Sequence, residues 1–131
     1  MSQSERLNAE DAPKPKGPYS PAVRGGDFLY VSGQGPIDPR TQQFEFGDIH
    51  AQTWLTLENV ERALATLGAS RKNIVKCGVF LARASDFAAM NETYAAFFGE
   101  TRPARTTVQA VLVEEGMKIE IDCVAYLPQK S

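Results

Sequence analysis

The sequence predicts a single α+β domain whose elements follow the order β-β-α-β-α-β-β, with a mixed sheet and two helices on one of its faces. Two segments repeat apolar residues at three- and four-residue steps, which is the period of an amphipathic helix. The segments around them are short apolar runs or alternate apolar and polar residues, as strands do. At 131 residues, the chain is long enough for one hydrophobic core and too short for two ordinary domains.

The first part of the chain predicts an arm followed by two strands. Residues 1–16 are polar and end in two prolines, which predicts a flexible N-terminal arm and leaves residues 17–128 as the domain. The expected next elements are a short edge strand, a turn at Gly25-Gly26 and a more apolar strand from Phe28 to Ser32.

Two glycines follow the second strand. Gly33 and Gly35 bracket Gln34, and the absence of a Cβ atom lets a ligand approach the backbone N–H groups closely. An ordinary turn that carries the chain out through Pro36 and Pro39 fits the local sequence equally well. Both interpretations stay open at this point.

The first helix is predicted from Asp48, with Gly68 in place to end it. Its buried stripe is expected to consist of Trp54, Leu57, Val60, Leu64 and Leu67. Its exposed side is expected to carry Glu58, Glu61 and Arg62. The pattern indicates a packing helix, and we assign it no chemistry.

A third strand and a second helix come next. Ile74 to Leu81 is a nearly continuous apolar run, typical of a strand inside a sheet. A helix is expected to start near Ser85 or Asp86, to end before Gly99, and to bury Phe87, Met90, Tyr94 and Phe97, with Phe98 as a further candidate. Asn91 lies on this helix, and such an amide is more often exposed to solvent than in contact with a ligand.

The last third predicts two strands, Thr106 to Val113 and Lys118 to Leu127. Arg105 follows a proline at the start of the first of them, where a planar guanidinium can bind a carboxylate with two hydrogen bonds. Glu120 lies within the second. Because charged residues are mostly exposed, two surface charges are the plainer interpretation of this pair.

The element order also predicts an uncovered surface. Helices that act as crossovers should pack on one face of the sheet. A chain of this size has nothing left to cover the other face, which indicates that the sheets of several copies pack together.

Composition and charge exclude several classes. A net charge of −2 gives no field that would attract a polyanion, so we expect no nucleic-acid partner. Cys77 and Cys123 lie in apolar runs and are expected to be buried, reduced thiols. His50 has no neighbouring histidine or cysteine, so no metal site is expected. No leader-like or membrane-spanning run is present, and we expect a cytoplasmic protein with no membrane partner.

Six segments together resemble the Rid family of reactive-intermediate deaminases, also called the YjgF family. They occur in order and at matching spacing: G-P-Y-S-P-A at 17–22, V-S-G-Q-G-P-I-D-P at 31–39, Q-T-W-L-T-L-E-N-V at 52–60, N-E-T-Y-A-A-F-F at 91–98, P-A-R at 103–105 and K-I-E-I-D at 118–122. The resemblance implies a chorismate-mutase-like fold and a homotrimer in which the sheets form a barrel, with sites in the clefts between subunits. It also implies cofactor-free hydrolysis of enamines and imines, such as 2-aminoacrylate or 2-iminobutyrate, to 2-keto acids and ammonia.

The resemblance assigns roles to individual residues. It implies that Arg105 holds the substrate carboxylate with help from the backbone N–H groups of Gly33 and Thr107, and that Glu120 positions and activates water. Further positions that match the family's pocket are Tyr19, Ser32 and Asn91. It also implies that the strand beginning at Ile74 separates the strands of Arg105 and Glu120, so that one site takes its two halves from neighbouring subunits.

Two departures from the family pattern bear on function. Thr106 and Thr107 stand where the archetypes have serine and cysteine, and the connection V-L-V-E-E-G-M differs from the archetypal loop. These differences leave the substrate open. A regulatory protein that binds keto acids or other small carboxylates without turnover is the second hypothesis, and a ribonuclease or translation inhibitor is the third.

Overall fold

The computed structural model describes residues 12–130 and contains a five-stranded sheet, a two-stranded hairpin and two α-helices. The main sheet has the order β1-β2-β7-β5-β6, formed by β1 (Ala22–Gly25), β2 (Phe28–Gln34), β5 (Ile74–Leu81), β6 (Ala104–Gln109) and β7 (Ile119–Tyr126). The hairpin pairs β3 (Ile37–Asp38) with β4 (Gln43–Phe44), and the helices are α1 (Ile49–Ala65) and α2 (Phe87–Phe98). The predicted fold class and order of the main elements are confirmed, and the hairpin is an addition to them.

The strand directions also agree with the prediction. β5 pairs with β6 in parallel, and every other neighbouring pair in the main sheet is antiparallel. The strand of Arg105 and the strand of Glu120 therefore lie on either side of β5 and run in opposite directions.

Helix ends follow the local sequence. Asp48 caps α1, since its Oδ1 accepts a hydrogen bond from the Ala51 N–H at 2.8 Å. Gly68 adopts φ +83° just beyond α1, a conformation that glycine reaches without strain. Asp86 occupies the N-cap position of α2, but its side chain makes no capping hydrogen bond.

Both helices pack on one face of the main sheet, and the core lies between them. Alternate residues of β2, β5 and β7 point into it, and the largest fully buried side chains within residues 12–130 include Leu29, Leu57, Leu81 and Ile119. The prediction of which helix residues are buried was wrong at Trp54, Phe87 and Glu61, which are 38%, 46% and only 2% exposed. Arg62, also expected on the exposed side, has a side chain that is only 13% exposed. Glu61 is buried because Arg71 pairs with its carboxylate at 2.8 Å.

The predicted strand from Thr106 to Val113 is too long. β6 ends at Gln109, because its partner β5 ends at Leu81 and offers no further backbone groups. Residues 110–118 form a loop in which Val111 and Val113 are 101% and 98% exposed.

The opposite face of the main sheet carries exposed apolar side chains. Register pairs place alternating residues there, and the large ones among them are Val23, Phe28, Tyr30, Val108 and Tyr126, each 40–50% exposed. We call this surface the open face. Nothing within residues 12–130 covers it.

Of the predicted N-terminal arm, the structure describes only residues 12–16. The predicted arm falls mostly on residues 1–11, which lie outside the described residues, and the domain limits stay a prediction. Lys14 N–H donates to Gln42 Oε1 at 2.9 Å, and Lys16 Nζ donates to the Gln42 carbonyl at 3.1 Å. No helix within residues 12–130 has the length and apolar character needed to cross a membrane.

Candidate functional site

A cleft of about 500 Å³ brings four of the predicted site residues together. We call it the Glu120 cleft; its lining consists of Lys16, Tyr19, Ser32, Gly33, Gly35, Ile37, Phe44, Val113, Glu114, Met117 and Glu120. Tyr19, Ser32, Gly33 and Glu120 were predicted from the sequence. A depression of about 610 Å³ along residues 109–117 contains none of the predicted residues.

Glu120 lies directly against the backbone of Gly33. A Cβ atom at residue 33 would overlap the carboxylate and lie 2.9 Å from Glu120 Cδ, so no residue with a side chain fits here without displacing Glu120. Burial raises the pKa of Glu120, and the charge of nearby Asp122 raises it further. Because its surroundings disfavour the charged form, the Glu120 carboxylate is a stronger base than an exposed glutamate, which suits a group that takes a proton from water.

Ser32 and Tyr19 belong to the wall that the segment before β1 contributes. Ser32 Oγ donates to the Ser20 carbonyl at 2.6 Å, and Ser32 N–H donates to the Pro21 carbonyl at 3.0 Å. These two bonds fasten the segment to β2. The Tyr19 side chain is 49% exposed at the cleft and accepts a hydrogen bond from Lys16 N–H at 3.3 Å.

The other predicted residues lie elsewhere, between β6 and α2. The Arg105 guanidinium lies 4.7 Å from the centre of the Tyr94 ring, and its Nη1 lies 3.9 Å from Met90 Sδ. All three ion pairs within residues 12–130 are made by other arginines, so Arg105 has no carboxylate partner there. Thr107, two residues further along β6, points to the same side of the sheet.

Two unpaired polar atoms accompany Arg105. Asn91 Oδ1 and Tyr94 Oη are buried and make no hydrogen bond within the described part of the chain. A buried polar atom without a partner costs about 1–3 kcal/mol. We use the name Arg105 pocket for Arg105 and Thr107 on β6 together with Asn91 and Tyr94 on α2. It combines a cation with two buried polar atoms that have no hydrogen-bond partner within residues 12–130.

One copy of the chain does not bring the Glu120 cleft and the Arg105 pocket together. Arg105 aligns with Cys77 of β5, which faces the helices, whereas Glu120 aligns with Phe80, which faces the other way. The two side chains thus point to opposite faces of the sheet. They start from strands separated by one strand, which is roughly 10 Å across the sheet.

Two residues with a bearing on the cleft were not identified from the sequence. Asn59 Nδ2 donates to the carbonyls of Gly35 and Ile37 at 2.9 and 2.8 Å. Gln52 Oε1 accepts from Lys118 N–H at 2.8 Å, and its Nε2 donates to the Gly116 carbonyl at 3.2 Å. Both amides are fully buried on α1. Their hydrogen bonds hold residues 35–37 and 116–118, two segments at the cleft, against this helix. The available signal was a polar residue at an inward position of the helical period.

The remaining titratable groups offer little chemistry. Cys77 and Cys123 are buried, free thiols, as expected, and burial raises the pKa of Cys77 to about 11. A thiol with so high a pKa is a poor nucleophile at neutral pH. Within residues 12–130, no three His, Cys, Asp or Glu side chains are placed to share a metal ion.

The chain is similar to known proteins over nearly its whole length. The family model described as Endoribonuclease L-PSP matches residues 9–127. A RutC family protein of Pyrococcus horikoshii is 45% identical over 122 residues, which cover 93% of this chain and 97% of that protein. The crystal structure of E. coli TdcF with bound serine aligns with a TM-score of 0.83 and 35% identity, over 92% of this chain and 97% of that one. RidA from an Antarctic Psychrobacter aligns with a TM-score of 0.84 and 35% identity, over 96% and 100%.

Proposed function

The chain belongs to the Rid family, whose family model is described as Endoribonuclease L-PSP, and we propose that it hydrolyses reactive enamines and imines of the 2-aminoacrylate and 2-iminobutyrate type. The products are 2-keto acids and ammonia. The observation that carries this proposal is Glu120: a carboxyl group with a raised pKa, held against a glycine backbone in a cleft.

The reaction needs one acid/base group and no electron transfer. The enamine gains a proton at C3 and loses one from nitrogen, which makes it an imine. The water oxygen then bonds to C2 while Glu120 takes one proton of the water and the nitrogen gains one, which gives a carbinolamine. The nitrogen gains a second proton, the hydroxyl group gives up its proton, and the C2–N bond breaks, so that ammonia leaves and C2 becomes the carbonyl of the keto acid. Because the imine carbon is already electrophilic, this sequence requires no metal or organic cofactor.

Arg105 suits the substrate carboxylate. Its guanidinium has no carboxylate partner within residues 12–130 and presents a planar set of donors. The backbone N–H groups of Gly33 and Thr107 assist it in the proposal, and Tyr19, Ser32 and Asn91 complete the pocket. E. coli TdcF has been crystallised with serine, in which a carboxylate and a nitrogen are likewise attached to one carbon atom.

The proposed enzyme is a homotrimer whose sites take Arg105 from one subunit and Glu120 from the next. Two observations support it: the two side chains lie on opposite faces of one sheet, and the open face is apolar and uncovered within residues 12–130. Assembly then covers the open face and completes the site in one step.

A coupled assay tests the activity. 2-Aminoacrylate or 2-iminobutyrate is generated in place, and keto-acid release is compared for the wild type, Arg105→Ala and Arg102→Ala. Arg102 is a matched control because it is an exposed arginine that bonds only to the Gly99 carbonyl. We expect the wild type and Arg102→Ala to accelerate release and Arg105→Ala to lose most of the effect. No acceleration, together with keto-acid binding by calorimetry, would favour the regulatory alternative.

Mixed assemblies test the shared site. Arg105→Ala and Glu120→Ala subunits are each expected to be inactive alone. Random mixing should restore both groups in about one quarter of the clefts if each site spans two subunits. Mixed assemblies with no more activity than the parents would contradict the shared site and leave the proposed reaction untouched.

A further inference from the structure

Much of the lining of the Glu120 cleft is apolar. Ile37 and Met117 are 7% and 8% exposed and form part of the buried floor. The Met117 Cε atom lies only 2.7 Å from the position that a Cβ of Gly35 would occupy, so its methyl group lies on that backbone. Phe44 stacks on a neighbouring phenylalanine with ring centres 5.4 Å apart. Val113 also lines the cleft, although its side chain is 98% exposed.

The charges in the cleft oppose a second carboxylate on the ligand. Glu114 and Glu120 are both acidic and both line it. Lys16 is its one basic side chain, and that ammonium already donates to the Gln42 carbonyl at 3.1 Å and lies 5.4 Å from the centre of the Phe44 ring. An anionic side chain would therefore meet two like charges and one cation that is already engaged.

We infer that the preferred substrates are 2-imino acids, or their enamines, with bulky apolar side chains such as those of leucine and phenylalanine. This inference rests on the proposed function. The C2 atom of such a substrate carries a carboxylate, a nitrogen and a side chain. In the proposed site, Arg105 of a neighbouring copy binds the carboxylate and Glu120 lies next to the reacting carbon and nitrogen. The substrate side chain then contacts the apolar lining of the cleft.

The size of the cleft agrees with this class. A cleft of about 500 Å³ lies within the range of pockets that hold ligands much larger than a three-carbon enamine. A three-carbon substrate would leave apolar wall exposed to water, whereas a longer apolar side chain removes it from water. Met117 suits such a wall because an unbranched thioether adapts to ligands of different shape.

A comparison of kcat/KM for imines with different side chains tests the inference. An amino-acid oxidase with catalase generates the imines of alanine, leucine, phenylalanine and glutamate in place, and imine loss is followed for the whole protein. One methylene in an apolar pocket changes kcat/KM by about 10- to 200-fold. We therefore expect kcat/KM for the leucine imine to exceed that for the alanine imine by at least about 10-fold, with the glutamate imine lowest.

Three variants test whether the apolar side chains of Met117 and Val113 cause the preference for the leucine imine. Met117→Gln keeps the length of the side chain and adds a polar group, and Val113→Asp places a charge at an exposed position where folding is not at risk. Each should lower the leucine-to-alanine ratio of kcat/KM by about 10-fold. Val111→Asp is the matched control, since Val111 lies on the same loop but does not line the cleft, and its ratio should equal that of the wild type.

The outcomes separate the two proposals. If no imine is hydrolysed faster than with Arg105→Ala, the proposed function fails, and this inference fails with it. If imines are hydrolysed but the alanine or glutamate imine is preferred, the inference is overturned and the proposed function stands. A leucine preference that neither Met117→Gln nor Val113→Asp reduces would also overturn the assignment to this wall.

Discussion

Replacing Asn59 by aspartate should destabilise the protein and damage the Glu120 cleft together. The two side chains have nearly the same shape, but aspartate offers an oxygen where asparagine has the Nδ2 donor. That donor binds the carbonyls of Gly35 and Ile37, which belong to the segment that walls the cleft. The substitution therefore removes two buried hydrogen bonds with almost no change in volume.

The size of the destabilisation depends on which hydrogen-bond donors each of the two carbonyls retains in the variant. The Gly35 carbonyl keeps a second donor, the Ile37 N–H at 2.9 Å, so losing one bond costs about 1 kcal/mol. The Ile37 carbonyl loses its side-chain donor inside the fold, which costs about 1–3 kcal/mol. Arg62 donates to Asn59 Oδ1 at 2.7 Å, and a charged acceptor strengthens that bond by about 1 kcal/mol. The free energy of unfolding should thus fall by at least about 1–3 kcal/mol, because the repulsion between the buried carboxylate and the two carbonyl oxygens adds to this loss.

Urea unfolding at one fixed protein concentration measures this change, because any assembly makes apparent stability depend on concentration. Gln43→Glu is the matched control: it makes the same amide-to-acid change on exposed β4, next to the same segment. The variant at position 59 should also lose imine turnover while the control keeps it. If the two variants unfold within about 0.5 kcal/mol of each other, the positioning role of Asn59 is refuted, since surface changes stay within that range.

Three further predictions concern the site and the open face. Gly33→Ala should displace Glu120 and lower kcat/KM by about 10-fold or more. Gly78→Ala is the control, because its Cβ would overlap the Asp122 carboxylate in the same way. It should lower thermal stability but, when equal amounts of folded protein are compared, it should keep its turnover. The raised pKa of Glu120 means that the native state binds this proton more tightly than the unfolded state does. The stabilisation from proton binding is therefore complete below pH 4.5 and is lost as the pH rises through the raised pKa. In urea unfolding, Glu120→Gln should have the same free energy of unfolding as the wild type below pH 4.5 and a larger one at neutral pH. Val108→Asp should lower the assembly mass in analytical ultracentrifugation, and Ala96→Asp, on exposed α2 surface, should not; a wild type that sediments as a monomer at micromolar concentration would refute the trimer.

The elements that could be predicted are those whose signals are local. The helical period and the residues at its ends, Asp48, Gly68 and Gly99, placed α1 and α2 to within a few residues. The end of β6 could not be placed this way. Residues 110–113 continue the strand-like sequence, and they form a loop only because β5 stops at Leu81 and leaves them no partner.

The residues proposed for the site could be named from the sequence, and the resemblance implied that one strand separates Arg105 from Glu120, but the face to which each side chain points could not be predicted. The glycine after β2 and the arginine two residues after a proline are visible in the sequence. That Arg105 and Glu120 point to opposite faces depends on register, since Cys77 and Phe80 of β5 are the residues opposite them. The role of Asn59 was hidden for a similar reason, because its acceptors lie 22 and 24 residues away in the sequence.

The positions of the Arg105 pocket and the Glu120 cleft support the proposal that a second copy of the chain completes the site. β6 is an edge strand of the main sheet, so the Arg105 pocket lies at a border that a neighbouring molecule can reach. Glu120 lies on the face that carries Tyr30, Val108 and other exposed apolar side chains. Covering that face removes apolar area from water and is favourable in itself. The same contact would bury Glu120 further and raise its pKa by desolvation, so assembly would both supply the carboxylate clamp and adjust the acid/base group.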